Sequence, residues 1–181
     1  MIEYEAIVLA GGDSRRFGSD KLAHSLEGRP LLDHALDAVA DARRTVVVGP
    51  QRPTQRRVTW TREVPAGGGP LAGLAAGLRF TTTDYVVVLA GDMPRASQAV
   101  HALLQAAGAA PEVVVMTDDD GRIQPLTALW QRARLERRVN EIGEVQGAAM
   151  MTLYDGLHPT TIRAVTGALV DVDTPDDLTT E

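Results

Sequence analysis

Four short, largely apolar runs recur along the first two thirds of the chain, at residues 6–10, 45–48, 85–90 and 112–116. Each run is continuous rather than alternating and is rich in valine, isoleucine and leucine. This pattern is typical of strands that are buried on both faces of a sheet. We therefore predict a β-strand at each run.

The segments between these runs carry apolar residues at helical spacing. The spaced positions are Leu31, Leu32, Ala35, Leu36 and Val39, then Leu71, Leu74, Ala75 and Leu78, then Val100, Leu103, Leu104 and Ala107. Strands that alternate with helices predict an α/β fold, a single doubly wound, mostly parallel, Rossmann-like sheet with helices on both faces. In such a sheet we expect the ligand site at the carboxyl ends of the strands.

The pattern changes after Met116. The acidic residues 118–120 precede a glycine and predict a solvated hairpin tip, and residues 123–130 predict another strand. Residues 160–165 and 168–173 predict a small late antiparallel β element. A last helix is expected to begin at Thr174, because a threonine cap there is followed by proline and two aspartates.

Composition and charge narrow the class of protein. The 181 residues contain 44% hydrophobic residues and no long linker, so we expect one domain over residues 1–181. The net charge of −6, with mixed signs along the chain, argues against nucleic acid or a membrane as partner. The lack of cysteine excludes disulfides and thiolate chemistry, and the amino-terminal segment resembles neither a signal peptide nor a membrane span. We expect a cytoplasmic protein that is a monomer or a small homo-oligomer.

The first candidate site follows the first predicted strand, in the sequence VLAGGDSRRFGSDK at residues 8–21. Gly11 and Gly12 would let backbone amides approach an anion, and Arg16 and Lys21 would add positive charge. The spacing fits neither a Walker A loop nor GxGxxG. We interpret the segment as a phosphate-binding loop; the alternative is an exposed loop with scattered surface charge.

A second candidate is the stretch EVPAGGGPLAGL at residues 63–74. Gly67, Gly68 and Gly69 run into a proline that would start a helix, whose amino end attracts anions. Glu63 could accept the adjacent N1 and N2 hydrogens of a guanine. The alternative is a flexible loop before a proline-initiated helix.

The third candidate is Asp92, which directly follows a buried strand. A carboxylate beside a polyphosphate is a suitable Mg²⁺ ligand, and Asp173, two residues after Asp171, is a second candidate. Cap and turn chemistry are the alternatives for these aspartates. Because the four histidines are scattered and form no triad with serine and an acid, nucleophilic catalysis is not indicated.

Taken in order, these motifs resemble the molybdenum cofactor guanylyltransferase family, within the nucleotidyltransferases that have a glycine-rich amino-terminal loop. The sequence LAGGDSRRFGSDK is similar to that family's LAGGxSxRxGxDK loop, and GGGPLAGL, LAGDMP, QPLTALW and DVDTPDDL are similar to its later motifs. The resemblance covers most of the chain. It implies transfer of GMP from GTP to the terminal phosphate of molybdopterin or its metal-loaded form, with release of pyrophosphate.

The resemblance also implies roles for individual residues. Leu9, Ala10, Gly11 and Gly12 would hold the nucleotide, Arg16 and Lys21 the triphosphate, Glu63 and Gly67, Gly68 and Gly69 the guanine, and Asp92 the Mg²⁺ cofactor. GTP and molybdopterin are the implied substrates, and transient contact with molybdoenzyme maturation proteins is a further expectation. The chain departs from the family where some members have asparagine, here Gly49, and where residues 140–156 lack an expected arginine.

Three alternatives remain at this stage. The first is a nucleotidyltransferase with another base or acceptor, such as a cytidylyltransferase acting on the same pterin or an enzyme that activates a sugar phosphate. The second is a nucleotide-binding adaptor without turnover, against which the presence of Lys21 and Asp92 counts. The third, a dinucleotide oxidoreductase, fits poorly because the glycine spacing is wrong.

Overall fold

The computed structural model describes residues 2–12, 20–164 and 169, which form nine strands and four α-helices. The strands are β1 (Tyr4–Leu9), β2 (Ser25–Leu26), β3 (Arg29–Pro30), β4 (Thr45–Val48), β5 (Thr59–Thr61), β6 (Tyr85–Ala90), β7 (Val113–Thr117), β8 (Ile123–Gln131) and β9 (Thr160–Arg163). The helices are α1 (Leu31–Ala38), α2 (Gly69–Leu78), α3 (Ser97–Ala106) and α4 (Arg132–Ile142), with short 3-10 turns at Lys21–Ala23, Ala107–Ala109 and Met150–Tyr154. None of these described helices has the length and apolar character that crossing a bilayer requires.

Seven strands form one sheet in the order β5-β4-β1-β6-β8-β7-β9. All of them run in the same direction except β8, which pairs antiparallel with both β6 and β7. Helices α1 and α3 pack on one face of the sheet, and α2 and α4 pack on the other. The predicted mostly parallel sheet with helices on both faces is thereby confirmed.

The small antiparallel element lies elsewhere than the sequence pattern indicates. The two-stranded sheet is β2 with β3, early in the chain, where Glu27 and Gly28 both have positive φ and close a tight hairpin. Residues 160–163, the start of the predicted late pair, instead form β9 parallel to β7. The second half of that pair, residues 168–173, and the predicted helix from Thr174 lie outside the described residues, apart from Leu169.

The strand order determines where a ligand can bind. From β1 the chain passes to β4 on one side and later returns to β6 on the other, so the connections diverge above the carboxyl end of β1. Such a switch point leaves a crevice between the loops. Strand β8 runs the opposite way, and its first residues therefore lie at the same edge of the sheet.

Helix α2 lies close to the sheet because a glycine faces it. A Cβ added at Gly77 would lie 2.8 Å from Cγ2 of Ile7 and 2.9 Å from Cγ2 of Val48, both fully packed in the core. We expect Gly77→Ala to lower the free energy of unfolding by about 1–2 kcal/mol, because overpacking outweighs the helix propensity of alanine.

A matched control lies one turn earlier on the same helix. At Gly73 the nearest atom to an added Cβ is Val48 Cγ1 at 3.4 Å, so Gly73→Ala should leave stability unchanged or raise it by up to about 1 kcal/mol. Urea unfolding of both variants measures the difference. Equal stabilities would contradict this account of the helix packing.

Candidate active site

A cleft of about 560 Å³ opens at the carboxyl ends of β1, β4 and β6, where the strand order predicts a crevice. It is bounded by the ends of these strands, the amino end of α2 and the start of β8. The lining residues are Leu9, Gly11, Gly12, Val48, Glu63, Gly67, Gly69, Pro70, Gly73, Ala90, Asp92, Met93, Gln124, Pro125, Leu126, Thr127 and Leu169.

A lysine and an aspartate meet at the centre of the sheet edge. The Nζ atom of Lys21 donates a hydrogen bond of 2.9 Å to Oδ2 of Asp92, although 71 residues separate them in the sequence. Lys21 begins a 3-10 turn, whose next residue, Leu22, is anchored in the core, and Asp92 follows β6 directly. The side chains of Lys21 and Asp92 are 11% and 28% exposed, so the charges are partly shielded from water.

Glu63 and the glycine loop form one wall of the cleft. The buried Glu63 carboxylate accepts the backbone N–H of Gly67 at 3.0 Å through Oε1. Among the described residues, no group donates to its second oxygen. Helix α2 then begins at Gly69 with Pro70 in its first turn, as the sequence predicts. The wall therefore combines an available carboxylate oxygen with the amino end of a helix.

Two residues expected to hold the nucleotide lie behind the cleft rather than on its surface. Ala10 is buried, and its N–H and carbonyl are occupied by Val48 O at 2.7 Å and by the Arg52 guanidinium at 3.0 Å. The carbonyl of Gly68 accepts the N–H of Gly147 at 2.8 Å, and the Gln146 side chain covers its Cα. Of the other predicted residues, Arg16, Asp171 and Asp173 lie outside the described residues.

The sequence departure at Gly49 has a structural explanation. Gly49 has a φ of 149°, and a Cβ added there would lie 2.4 Å from the carbonyl oxygen of Ala10. An asparagine side chain does not fit this backbone. The backbone at this position therefore requires glycine.

Sequence reasoning missed two polar groups near the cleft. Gln124, at the start of β8, lines the cleft, and its Nε2 donates to Oδ2 of Asp118 at 3.1 Å. The hairpin tip expected to be merely solvated thus fixes an amide that faces the cleft. Arg52, in the loop after β4, donates two hydrogen bonds to Asp20, the residue before Lys21. Single-sequence patterns do not signal either pair, because the partners meet only in the folded chain.

The metal-binding capacity of the site rests on Asp92. Within residues 2–12, 20–164 and 169, no group of three or more histidine, aspartate or glutamate side chains could by itself enclose a metal ion. A single carboxylate fits a cation that also takes phosphate oxygens and water as ligands, as Mg²⁺ does.

Comparison with known proteins agrees with this geometry. The MobA-like NTP transferase domain matches residues 6–159, which include the glycine loop, Lys21, Glu63 and Asp92. The chain belongs to this family.

Relatives within the MobA-like family support the assignment along most of the chain. A probable molybdenum cofactor guanylyltransferase from one Bacillus cereus strain is 29% identical over 161 residues, which cover 84% of this chain and 80% of the relative. The protein of the same name from another Bacillus cereus strain is 31% identical over 145 residues, covering 76% and 72%.

Solved structures agree with the MobA-like fold. Molybdopterin-guanine dinucleotide biosynthesis protein A from Archaeoglobus fulgidus superposes with a TM-score of 0.75 at 22% identity, covering 97% of this chain and 95% of that one. The 2-C-methyl-D-erythritol 4-phosphate cytidylyltransferase from Thermus thermophilus gives 0.72 at 17% identity, covering 96% and 94%. Because the names of these two structures point to different bases, the fold alone does not identify the base.

Proposed function

We propose that the chain transfers GMP from GTP to the terminal phosphate of molybdopterin or the molybdenum cofactor, giving the guanine dinucleotide and pyrophosphate. The observation that carries the proposal is the Lys21–Asp92 pair beside a cleft that also presents Glu63. The names of the Bacillus relatives support the same reaction. We place the activity in the cytoplasm, in one domain over residues 1–181, without nucleic acid or membrane as partner.

The nucleotide is proposed to lie along the cleft from the β5 side toward β8. Leu9, Gly11 and Gly12 contact it from the end of β1, and Lys21, with Arg16, binds the triphosphate. Guanine lies against Glu63, Gly67 and Gly69, and Gly68 supports this loop from behind. Ala10 acts from behind this surface by holding the end of β1 in place.

The acceptor is proposed to enter from the β8 side. Met93, Pro125 and Leu126 give that part of the cleft an apolar wall, suited to a flat ring system, and Gln124 adds an amide fixed by Asp118. The segment 140–156, which lacks the arginine expected from the resemblance, lies against the glycine loop through Gln146 and Gly147.

The reaction requires alignment more than proton transfer. A phosphate monoester has a second pKa of about 6, so the acceptor is largely dianionic at neutral pH and attacks the α-phosphorus without a general base. The new bond joins the acceptor oxygen to that phosphorus, and the bond to the bridging oxygen breaks as pyrophosphate leaves with its charge. Lys21 offsets the phosphate charges that would otherwise repel the attacking oxygen.

Asp92 fits the Mg²⁺ ion that this reaction implies. Lys21 occupies Oδ2 of Asp92, and the other oxygen remains for a cation that arrives with the triphosphate. Asp173 is proposed as a second ligand. When bound, Mg²⁺ supplies neutralisation of phosphate charge.

Base choice is testable through Glu63. In Glu63→Gln the amide oxygen can still accept from Gly67, but the amide nitrogen then faces the N1 and N2 hydrogens of guanine. We expect kcat/KM for GTP to fall by about tenfold to a hundredfold, the loss typical of a broken bidentate contact. Inosine triphosphate lacks the N2 amino group, so its kcat/KM with the wild type should be lower than that of GTP. Its kcat/KM should also fall by a smaller factor in Glu63→Gln than that of GTP does.

Glu144→Gln is the matched control, because Glu144 also accepts a backbone N–H, that of Gln146 at 3.1 Å, but does not line the cleft. It should retain the kcat/KM of the wild type. An unchanged preference for GTP over inosine triphosphate in Glu63→Gln would contradict the placement of guanine against Glu63.

Transfer itself is tested by following the label of GTP that carries ³²P at the α position. With molybdopterin and Mg²⁺, the label should move into a pterin dinucleotide. If the label remained in GTP, or appeared only as free GMP, guanylyl transfer to this acceptor would be excluded.

A further inference from the structure

The side chain of Arg52 holds together two parts of the chain that border the cleft. Its Nε donates to Oδ2 of Asp20 at 2.7 Å and its Nη2 to Oδ1 at 2.9 Å, a bidentate pair. Its Nη1 donates to the carbonyl oxygens of Ala10 at 3.0 Å and Pro50 at 2.9 Å. Only 9% of the side chain is exposed. Every nitrogen of the guanidinium is therefore engaged in the fold.

The partners of Arg52 adjoin the proposed triphosphate site. Ala10 follows β1 and leads into Gly11 and Gly12, and Asp20 immediately precedes Lys21. The carbonyl of Asp20 also accepts the N–H of Ala23 at 3.1 Å, which starts the 3-10 turn that carries Lys21. One side chain thus fixes the positions on both sides of residues 11–19.

This contact is of the kind that fixes geometry. Exposed ion pairs contribute little to stability, whereas a buried, planar guanidinium that binds both oxygens of a carboxylate sets its position and orientation. The hydrogen bonds from Arg52 also hold the pKa of Asp20 below its ordinary value, because they favour the ionised carboxylate. Since the pKa is lowered, the contact is complete at neutral pH and is lost only as the pH falls through the pKa of Asp20 in the folded protein.

We propose that Arg52 is a positioning residue that acts through Asp20 to hold Lys21 against the triphosphate. The inference rests on the proposed nucleotidyl transfer. Arg52 binds no substrate in this account, because four of its five N–H groups already donate within the protein. The larger part of its effect on GTP should therefore pass through Lys21, and the remainder through Ala10 and the end of β1, which distinguishes it from a residue that only stabilises the fold.

A double-mutant cycle tests this pathway. The variants are Arg52→Met, Lys21→Met and the combination, and titration calorimetry with Mg-GTP measures binding alongside kcat/KM. We expect Arg52→Met to weaken GTP binding and kcat/KM by about tenfold to a hundredfold in the wild-type background. In the Lys21→Met background the loss should be at least several-fold smaller, because the group positioned through Asp20 is already absent and only the bond to Ala10 remains to be lost.

Two further variants separate positioning from folding. Arg56→Met removes a more exposed arginine–aspartate pair, Arg56 Nε with Asp37 Oδ1 at 2.8 Å, and should leave GTP binding unchanged. If Arg52→Met melts below the assay temperature, Asp20→Asn replaces it in the cycle, because it weakens the same contact while keeping its shape.

The outcomes separate the two proposals. Equal effects of Arg52→Met in both backgrounds, with GTP bound by the wild type, would overturn the positioning role and leave guanylyl transfer standing. GTP binding that follows the expected pattern, without transfer to molybdopterin, would support the positioning role and overturn the proposed acceptor. A wild-type protein that does not bind Mg-GTP would overturn both.

Discussion

We expect Asp92→Asn to lower kcat for guanylyl transfer by at least about a hundredfold at fixed Mg²⁺, while the protein remains folded. The amide keeps the shape of the side chain but removes the charge that faces Lys21 at 2.9 Å. It also removes the carboxylate proposed as the cation ligand. Both losses affect the neutralisation of the phosphate groups, so we expect kcat to fall more than KM rises. Pyrophosphate release under saturating GTP measures kcat.

The control for charge alone is Asp120→Asn. Asp120 lies exposed at the hairpin tip, where it pairs with Arg122 at 3.2 Å, and it is absent from the cleft lining. This variant should keep the wild-type rate. If the turnover of Asp92→Asn were within about twofold of that of the wild type, the proposed role of Asp92 in the reaction and the proposed metal site would both be contradicted.

Lys21→Met should lower kcat/KM for GTP by about a hundredfold to a thousandfold. Methionine keeps an aliphatic stem of similar length, but it has no ammonium group to offset charge on the triphosphate. Lys21 is the only lysine in the chain, and the rest of its 18 lysine and arginine residues are arginine. The lysine side chain carries a compact ammonium group on a flexible stem, whereas the arginine side chains of this chain each carry a planar guanidinium.

Lys21→Arg separates charge from shape. The arginine keeps the positive charge but replaces the single ammonium nitrogen with a planar guanidinium. We therefore expect Lys21→Arg to recover only part of the activity that Lys21→Met loses. Lys21→Met leaves the mostly buried Asp92 carboxylate without its cation, so we expect its melting temperature to fall by several degrees, and that of Lys21→Arg, which keeps the charge, to fall less. A large loss of melting temperature with unchanged kcat/KM in the folded fraction would show that Lys21 serves the fold.

The strands and their order of appearance could be predicted because continuous apolar runs mark strands buried on both faces. Their ends could not. The first run starts at Ala6 in the sequence pattern, but β1 begins at Tyr4, since the fully buried carboxylate of Glu5 accepts the N–H groups of Thr82 and Thr83. Local hydrophobicity does not predict that a charged residue belongs to a buried strand, because the residues that bind its carboxylate are distant in the sequence.

Besides the β2–β3 hairpin, two further elements escaped prediction, each for a different reason. Strand β5 has only three residues, and all are half-buried at the sheet edge, so no apolar run marks it. Helix α4 is rich in arginine, and of its eleven residues only Leu135 is buried. Both elements border the site indirectly: β5 leads to Glu63, and α4 follows β8.

The candidate site could be predicted to the extent that its residues follow strands. Gly11, Gly12 and Asp92 come directly after buried runs, and the carboxyl ends of parallel strands meet at one edge. The pairs Arg52–Asp20 and Gln124–Asp118 could not be predicted, because sequence spacing does not show which loops fold against each other. Likewise, the burial of Gly68 under Gln146 depends on a segment nearly 80 residues away in the sequence.

The central claim is that this cleft transfers GMP to molybdopterin. The most direct test is pyrophosphate release with each of the four nucleoside triphosphates and Mg²⁺, with and without molybdopterin. We expect release with GTP alone among the four, and only when the pterin is present. Release with CTP instead would contradict the placement of guanine against Glu63, and release with none of the four would contradict catalysis by this site.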